Sequence, residues 1–344
     1  MATAGSPATN QRTARALWFT AARKAELLTE TVKPPVGTEV TVRAQASLVS
    51  AGTEMLIYRG ELPAEDDLGL ETCEGSFGFP VKYAYQTVAE VIEAGPDALF
   101  KPGDTVFCRH PHQEVFTQRS DTWLMTPVPP GLPAERAVFV NLLEVAVNCH
   151  LDVPVRHGDC VVVYGQGVVG SFIAQLARRS AGRLIVVDPI AVRRKTALAW
   201  GADAAVSPDE APAVIADMTQ GRGADICIEA TGVPAALQAA IVAAGQEATV
   251  VVVSFFGKRQ VPLLLSPEFH YRRQHVISSQ VSSLGSGLQP RWTRERRNEV
   301  AFDLLKSDWL QTPVSHRLPF DRAPEAYRIL DQTPQDATGI VITY

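Results

Sequence analysis

Three glycines and one aspartate carry the most legible chemistry in this sequence. The apolar run Val161-Val162-Val163-Tyr164 leads into Gly165-Gln166-Gly167-Val168-Val169-Gly170, and Asp188 follows the last glycine by eighteen residues. Each of these positions suits a bound dinucleotide. Gly165 permits a tight turn after a buried strand, and Gly167 removes the side chain that would keep the backbone off a pyrophosphate. Gly170 lets the next helix pack close to the sheet. That helix, predicted over 169–180 with Val168 and Val169 at its entry, turns free amides and a positive dipole end toward the phosphates. Asp188, at the tip of the strand Leu184–Val187, offers a carboxylate to both ribose hydroxyls of NAD and repels a 2′-phosphate. Arg193 stands five residues further on, where it lies over the adenine, beside the ribose, or on a solvated helix face. An arginine there also tolerates NADP, which remains the second choice.

The elements that hold these residues alternate. Strands fall at 160–164, 184–188, 203–206, 225–229, 248–253 and 275–279, with helices at 169–180, 190–200, 209–219 and 233–244. Six strands with intervening helices describe an α/β, doubly wound parallel sheet of the Rossmann type. Before it, from about residue 15 to 150, short strands are cut by Gly and Pro: 14–19, 39–47, 83–94, 105–108 and 114–117, with turns at Gly95-Pro96 and Lys101–Asp104. The acidic stretch Glu61–Gly78 reads as a surface loop near a cleft, and an apolar helix covers about 134–150. After residue 290 come a helix near 293–306, a strand at 314–320, a helix N-capped by Asp321, and a strand Gly339–Thr343. The last elements resemble the β-rich material, so the expected division is 1–150, a nucleotide-binding domain 151–290, and 291–344 returning to the first domain.

Composition narrows the class. At 344 residues the chain exceeds one average domain, and 46% apolar with 20% charged residues is ordinary for a soluble enzyme. Net charge is −5, and the densest basic cluster, Arg291–Arg297, is interrupted by Glu295. It reads as a solvated helix face, so nucleic acid is not an expected partner. The five cysteines, Cys73, Cys108, Cys149, Cys160 and Cys227, are scattered and never spaced as CxxC, which points to reduced thiols in a cytoplasmic compartment. No stretch reaches membrane-spanning length, and the first fourteen residues, small and polar, predict a frayed tail.

Several separate segments together resemble the medium-chain dehydrogenase/reductase superfamily, whose members include alcohol, sorbitol and threonine dehydrogenases. They are Val49-Ser50-Ala51-Gly52-Thr53-Glu54 with Tyr58-Arg59-Gly60, Phe79-Pro80, Pro102–Val106, the glycine loop, Ala224-Asp225 through Glu229-Ala230-Thr231-Gly232, and Gly339-Ile340-Val341. The resemblance implies a mostly β, GroES-like catalytic domain beside the Rossmann domain, a small-molecule substrate and a homodimer. It also implies that Thr231, Gly232, Ser254, Phe255, Phe256 and Ser279 surround the nicotinamide half of the cofactor. Zinc members carry a cysteine ligand where this chain has Ala51, and a Gly-His-Glu where it has Ala84-Tyr85-Gln86; their third ligand region falls near Asn141–Glu144. Alanine cannot bind zinc and tyrosine or glutamine would do so poorly, so no zinc is expected. A rival metal site, His110 and His112 with Cys108 and Glu114, reads equally as a loop over the cleft or as histidines without a role. The Ser-Ala-Gly-Thr-Glu stretch with tyrosine in the histidine position is similar to a zinc-lacking branch that includes bacteriochlorophyllide hydroxyethyl dehydrogenases. The polar loop Glu61–Glu74 does not suit a macrocycle, and that substrate is not carried over.

Without a metal, hydride transfer needs another source of oxyanion stabilisation. Tyr85, in a former ligand position, is the leading proton donor, with pocket lining as its alternative. Ser50 and Thr53 are relay or substrate-binding hydroxyls by analogy with the family. Lys82 is a neighbour able to lower a tyrosine pKa, although strand alternation turns it to the opposite face. Glu144, on an apolar helix, is either a cleft residue or a paired structural carboxylate. The expected activity is a zinc-independent, NAD(H)-dependent interconversion of a polar alcohol and its ketone, possible in specialised metabolism. The alternatives are reduction of an activated C=C bond and a catalytically silent NAD(H) sensor.

Overall fold

The computed structural model describes residues 12–344. The expected N-terminal tail lies outside the described residues as far as residue 11, and Thr13 and Ala14 already belong to the first strand, Thr13–Ala21.

The nucleotide half forms as the glycine pattern demands. Its six strands run in the spatial order Ala204–Val206, Arg183–Val187, Cys160–Tyr164, Ala224–Glu229, Ala244–Val252, His275–Ser278, and every neighbouring pair is parallel. The order reverses direction at the central strand Cys160–Tyr164, and the crevice beyond its carboxyl end is where such sheets bind ligands. All five residues of that strand are buried, which is why it reads as an uninterrupted β-branched run.

The β-rich half contains a seven-stranded and a four-stranded sheet. In the larger one, Gly339–Thr343 pairs antiparallel with Glu39–Leu48 and parallel with Val314–Pro319. The C-terminal strands therefore complete the sheet that Glu39–Leu48 begins, while the first strand, Thr13–Ala21, belongs to the four-stranded sheet.

Several local expectations are corrected. The span 83–94 is not one strand: Val81–Lys82 pairs with the four-stranded sheet and Thr87–Ala94 with the other, so residues 83–86 cross between sheets. Side-chain alternation cannot be carried through that crossing. Lys24–Thr31 forms a hairpin with Thr13–Ala21, although its sequence lacks a clean apolar alternation. Met125–Pro127 is a further short strand. The helix expected over 134–150 is two, Ala134–Ala137 and Val140–Asp152. Asp321 caps no helix; a 3-10 turn, Phe320–Arg322, precedes the helix Ala323–Gln332, and the carboxylate accepts from Arg15 at 2.6 Å instead. In the basic cluster Arg297 is 4% exposed and not on a solvated face, because its guanidinium pairs inward with Glu144 and Asn148.

All five cysteines are free and buried. No described helix is long and apolar enough to cross a membrane.

Candidate active site

The cradle is a backbone construction. Gly165 has a φ of 94°, and a Cβ there would stand 2.7 Å from the Thr231 side chain. At Gly170 a Cβ would stand 2.0 Å from the Gly165 carbonyl oxygen, inside any allowed contact. Gly167 meets nothing within 4 Å, so its missing side chain leaves open space where a phosphate would approach. It also caps the helix Val168–Ala177, whose first amides, those of Val168, Val169 and Gly170, lack intrahelical acceptors. These residues fit a dinucleotide.

Asp188 is 2% exposed, and its carboxylate accepts from the Gln166 amide at 2.7 Å and the Ile190 amide at 2.8 Å. It holds the glycine loop to the second strand, and an ionised carboxylate retains lone pairs beyond those two bonds. Of the places expected for Arg193, the solvated helix face is not the one it takes. Its Nη2 donates to the carbonyls of Pro334 and Ala337, and its Nη1 comes to 3.9 Å from Asp188. The guanidinium thus ties the nucleotide half to the C-terminal segment instead of facing solvent.

On the next strand, Glu229 was passed over as a site residue. Fully buried, it accepts from the Thr231 amide at 2.5 Å, the Thr231 hydroxyl at 2.6 Å and the Gly232 amide at 2.8 Å, shaping the turn at the crevice. Its position immediately before Ala230-Thr231-Gly232 was the available signal. Ser254 accepts from the Gly232 amide at 2.8 Å, while Phe255 is exposed and Phe256 half-buried. The hydroxyl of Ser279 is committed to Asp152 at 2.7 Å, toward the helix Val140–Asp152.

The catalytic candidates are brought together in part. The Tyr85 hydroxyl donates to Ser50 Oγ at 2.8 Å, and Thr53 opens the helix Thr53–Arg59 just beyond. Burial, then the Glu54 carboxylate, push the Tyr85 phenol up to about 12, with the hydroxyls of Ser50 and Thr53 opposing. Glu144 does not join them: it is 2% exposed and pairs with Arg109 at 2.9 Å and Arg297 at 3.5 Å. That is the paired structural carboxylate, not a cleft residue. Lys82 also points away, with its ammonium on Glu30 at 2.7 Å and Glu74 at 2.6 Å.

The two histidines of the rival metal reading diverge. His110 stacks on Phe116 at 3.6 Å, and burial pushes its imidazole down to about 3. His112 lies between Ser47, at 2.7 Å, and Glu54, at 3.3 Å. Among the described residues no group of three or more His, Cys, Asp or Glu side chains is placed to hold a metal.

A cavity of about 370 Å³ opens between the two halves, with Leu56, Glu61 and Leu62 on one wall and Phe256, Lys258 and Arg259 on the other. Lys258 spans the gap to Asp66 at 2.7 Å.

Comparison with known proteins agrees with this architecture. The family described as "Zinc-binding dehydrogenase" matches residues 168–298, a stretch that includes neither Ala51 nor Tyr85. A D-guloside 3-dehydrogenase of Shigella flexneri is 29% identical, over 94% of this chain and 98% of its own. A 2-desacetyl-2-hydroxyethyl bacteriochlorophyllide A dehydrogenase of Cereibacter sphaeroides is 29% identical over half of this chain and 55% of its own. Among solved structures, an alcohol dehydrogenase of Escherichia coli CFT073 complexed with NADH superposes with a TM-score of 0.78 at 16% identity, covering 96% of this chain and 99% of that one.

Proposed function

The chain is an oxidoreductase of the medium-chain dehydrogenase/reductase superfamily, and from that premise we propose that it uses a nicotinamide cofactor, NAD(H), without zinc, to interconvert a secondary alcohol and a ketone on a polyol or sugar. The observation that carries the reading is the Tyr85–Ser50 hydrogen bond beside Ala51, in the region where zinc members hold their metal. The residues there do not fit a zinc ion. Ala51 has no donor atom, the Tyr85 phenol is held neutral, and the Gln86 amide oxygen, buried without a partner, is a neutral oxygen unlike the Cys, His and carboxylate ligands that zinc takes. The relative of similar length, a guloside dehydrogenase, supports a hydroxyl-rich substrate.

When bound, the nicotinamide supplies or accepts the hydride. The amides of Val168, Val169 and Gly170 would hold its pyrophosphate, and Asp188 would hold the ribose hydroxyls and favour NAD over NADP. Because the Tyr85 hydroxyl donates to Ser50 Oγ, the proton reaches the carbonyl oxygen of the ketone through that hydroxyl: Ser50 passes its own proton on and takes the Tyr85 proton in its place, and the phenolate is reprotonated from solvent. A phenol pushed up to about 12 stays protonated through the neutral range, so the proton is present for the reducing direction, although it is held more tightly than by a free phenol. Ser50 Oγ fixes the direction of that hydroxyl. The expected domain limits, 1–150, 151–290 and 291–344, serve this reading, as does a homodimer joined along the exposed edge strand His275–Ser278.

The test is a panel of sorbitol, myo-inositol and methyl glycosides with NAD, followed by NADH and the corresponding ketones. Turnover should survive chelation, and metal analysis should find no stoichiometric zinc; one tightly bound zinc per chain would sink the zinc-free reading. Deuteride from labelled NADH should appear on the oxygen-bearing carbon. Label β to a carbonyl identifies an enone reductase, and tight NADH binding without turnover a sensor.

A further inference from the structure

Behind Ser50 lies a buried polar group that the proposed chemistry leaves unused. Its hub is Glu54, fully buried in the first turn of the helix Thr53–Arg59. One carboxylate oxygen accepts from the Ser50 amide at 3.1 Å. The other accepts from the Tyr327 hydroxyl at 2.7 Å and faces His112 Nε2 at 3.3 Å. Burying a carboxylate is costly unless polar partners converge on it, and here three do, one from four residues away and two from distant segments. The other ring nitrogen of His112, Nδ1, meets the Ser47 hydroxyl at 2.7 Å. Ser47 is in turn 2.9 Å from the Tyr344 hydroxyl.

Packing alone does not require this arrangement. The Tyr327 ring is seated among aromatic neighbours, edge-on to Phe19 at 4.9 Å and tilted on Tyr58 at 5.4 Å. A phenylalanine would keep those contacts. The hydroxyl adds only the bond to Glu54. We propose that His112 and Tyr327 are positioning residues for the reaction: they fix the Glu54 carboxylate, which fixes the Ser50 amide and thereby the hydroxyl that aims Tyr85. This rests on the reading of Tyr85 as proton donor.

The test uses the full chain with tyrosine labelled by carbon-13 at Cζ, the Tyr85 resonance being identified by its loss in Tyr85→Phe. Tyr327→Phe and His112→Leu should each move that resonance, and His112→Gln, which keeps a donor for Glu54, should return it toward its original position. On the most active polyol of the panel, kcat in Tyr327→Phe should fall about fivefold, the scale of one lost hydrogen bond passed to the reacting group, with KM for NAD unchanged. An unmoved Tyr85 resonance in Tyr327→Phe overturns the proposal, even where His112→Leu fails to fold. A moved resonance with unchanged kcat overturns it as well, because the network then touches Tyr85 without serving the reaction; the reading of Tyr85 as proton donor is judged separately, by turnover of Tyr85→Phe.

Discussion

The two sides of the cleft are built from different materials. On the cofactor side the working surface is backbone: glycines that clear space, helix amides without acceptors, and a turn tied by Glu229. On the catalytic side it is side chains, with Tyr85 on Ser50 and Glu54 gathering Ser50, His112 and Tyr327. A backbone site tolerates few substitutions but depends on one contiguous segment. A side-chain site depends on the whole sheet assembly to bring remote groups within hydrogen-bond reach.

The sharpest contrast comes from Gly170→Ala. The new Cβ would meet the Gly165 carbonyl at 2.0 Å, backbone against backbone. NADH binding, followed by fluorescence, should be lost, and denaturant unfolding should show a destabilisation of about 1–3 kcal/mol, the usual cost of overpacking. Retained tight binding would mean that the helix can shift without harm.

Tyr85→Phe should do the opposite. Turnover is expected to fall at least about tenfold, as for loss of a proton donor, while NADH affinity stays at its original value. Normal turnover demotes Tyr85 to pocket lining.

Asp188→Ala should weaken NADH binding about tenfold, from loss of charged hydrogen bonds to the ribose, and narrow the gap between NAD and NADP. Arg193→Met is the companion measurement. Because the guanidinium is spent on the Pro334 and Ala337 carbonyls, the variant should lose about 1 kcal/mol of stability yet bind NADH nearly as before. Equal loss of NADH affinity in both variants would place Arg193 on the cofactor.

The smallest effect is one of pH. The folded-state value of Tyr85, about 12, lies above the ordinary value of 10.0, so the folded protein favours the neutral phenol. Its contribution to stability is present below pH 10 and declines as pH rises through 12. Reduction rates should accordingly show no alkaline limb from this group across the neutral range, and a limb near neutrality that vanishes in Tyr85→Phe would contradict the assignment.

Legibility followed the same division. The six parallel strands were readable because each is a short apolar run bounded by turn residues, and the final strand Gly339–Thr343 was placed to the residue. Residues 83–86 were not, since the same β-prone composition serves a strand and a crossing between two sheets. Glu144 and Arg297 were ambiguous for a related reason. Whether a charged residue is solvated or buried depends on the partner that another helix presents, here over a separation of 153 positions.

By itself the sequence made the cofactor cradle legible, since the spacing of Gly165, Gly167 and Gly170 and the acid after the second strand are local properties that survive in one dimension, although the crowding at Gly165 comes from Thr231 on another strand's end. It also put at position 51 an alanine, which lacks a donor atom in any fold. Only the tertiary structure decided what stands behind them. The Glu54 network joins residues from 47 to 344, and hydrogen bonds of about 3 Å exist only once the sheets and the C-terminal helix have packed.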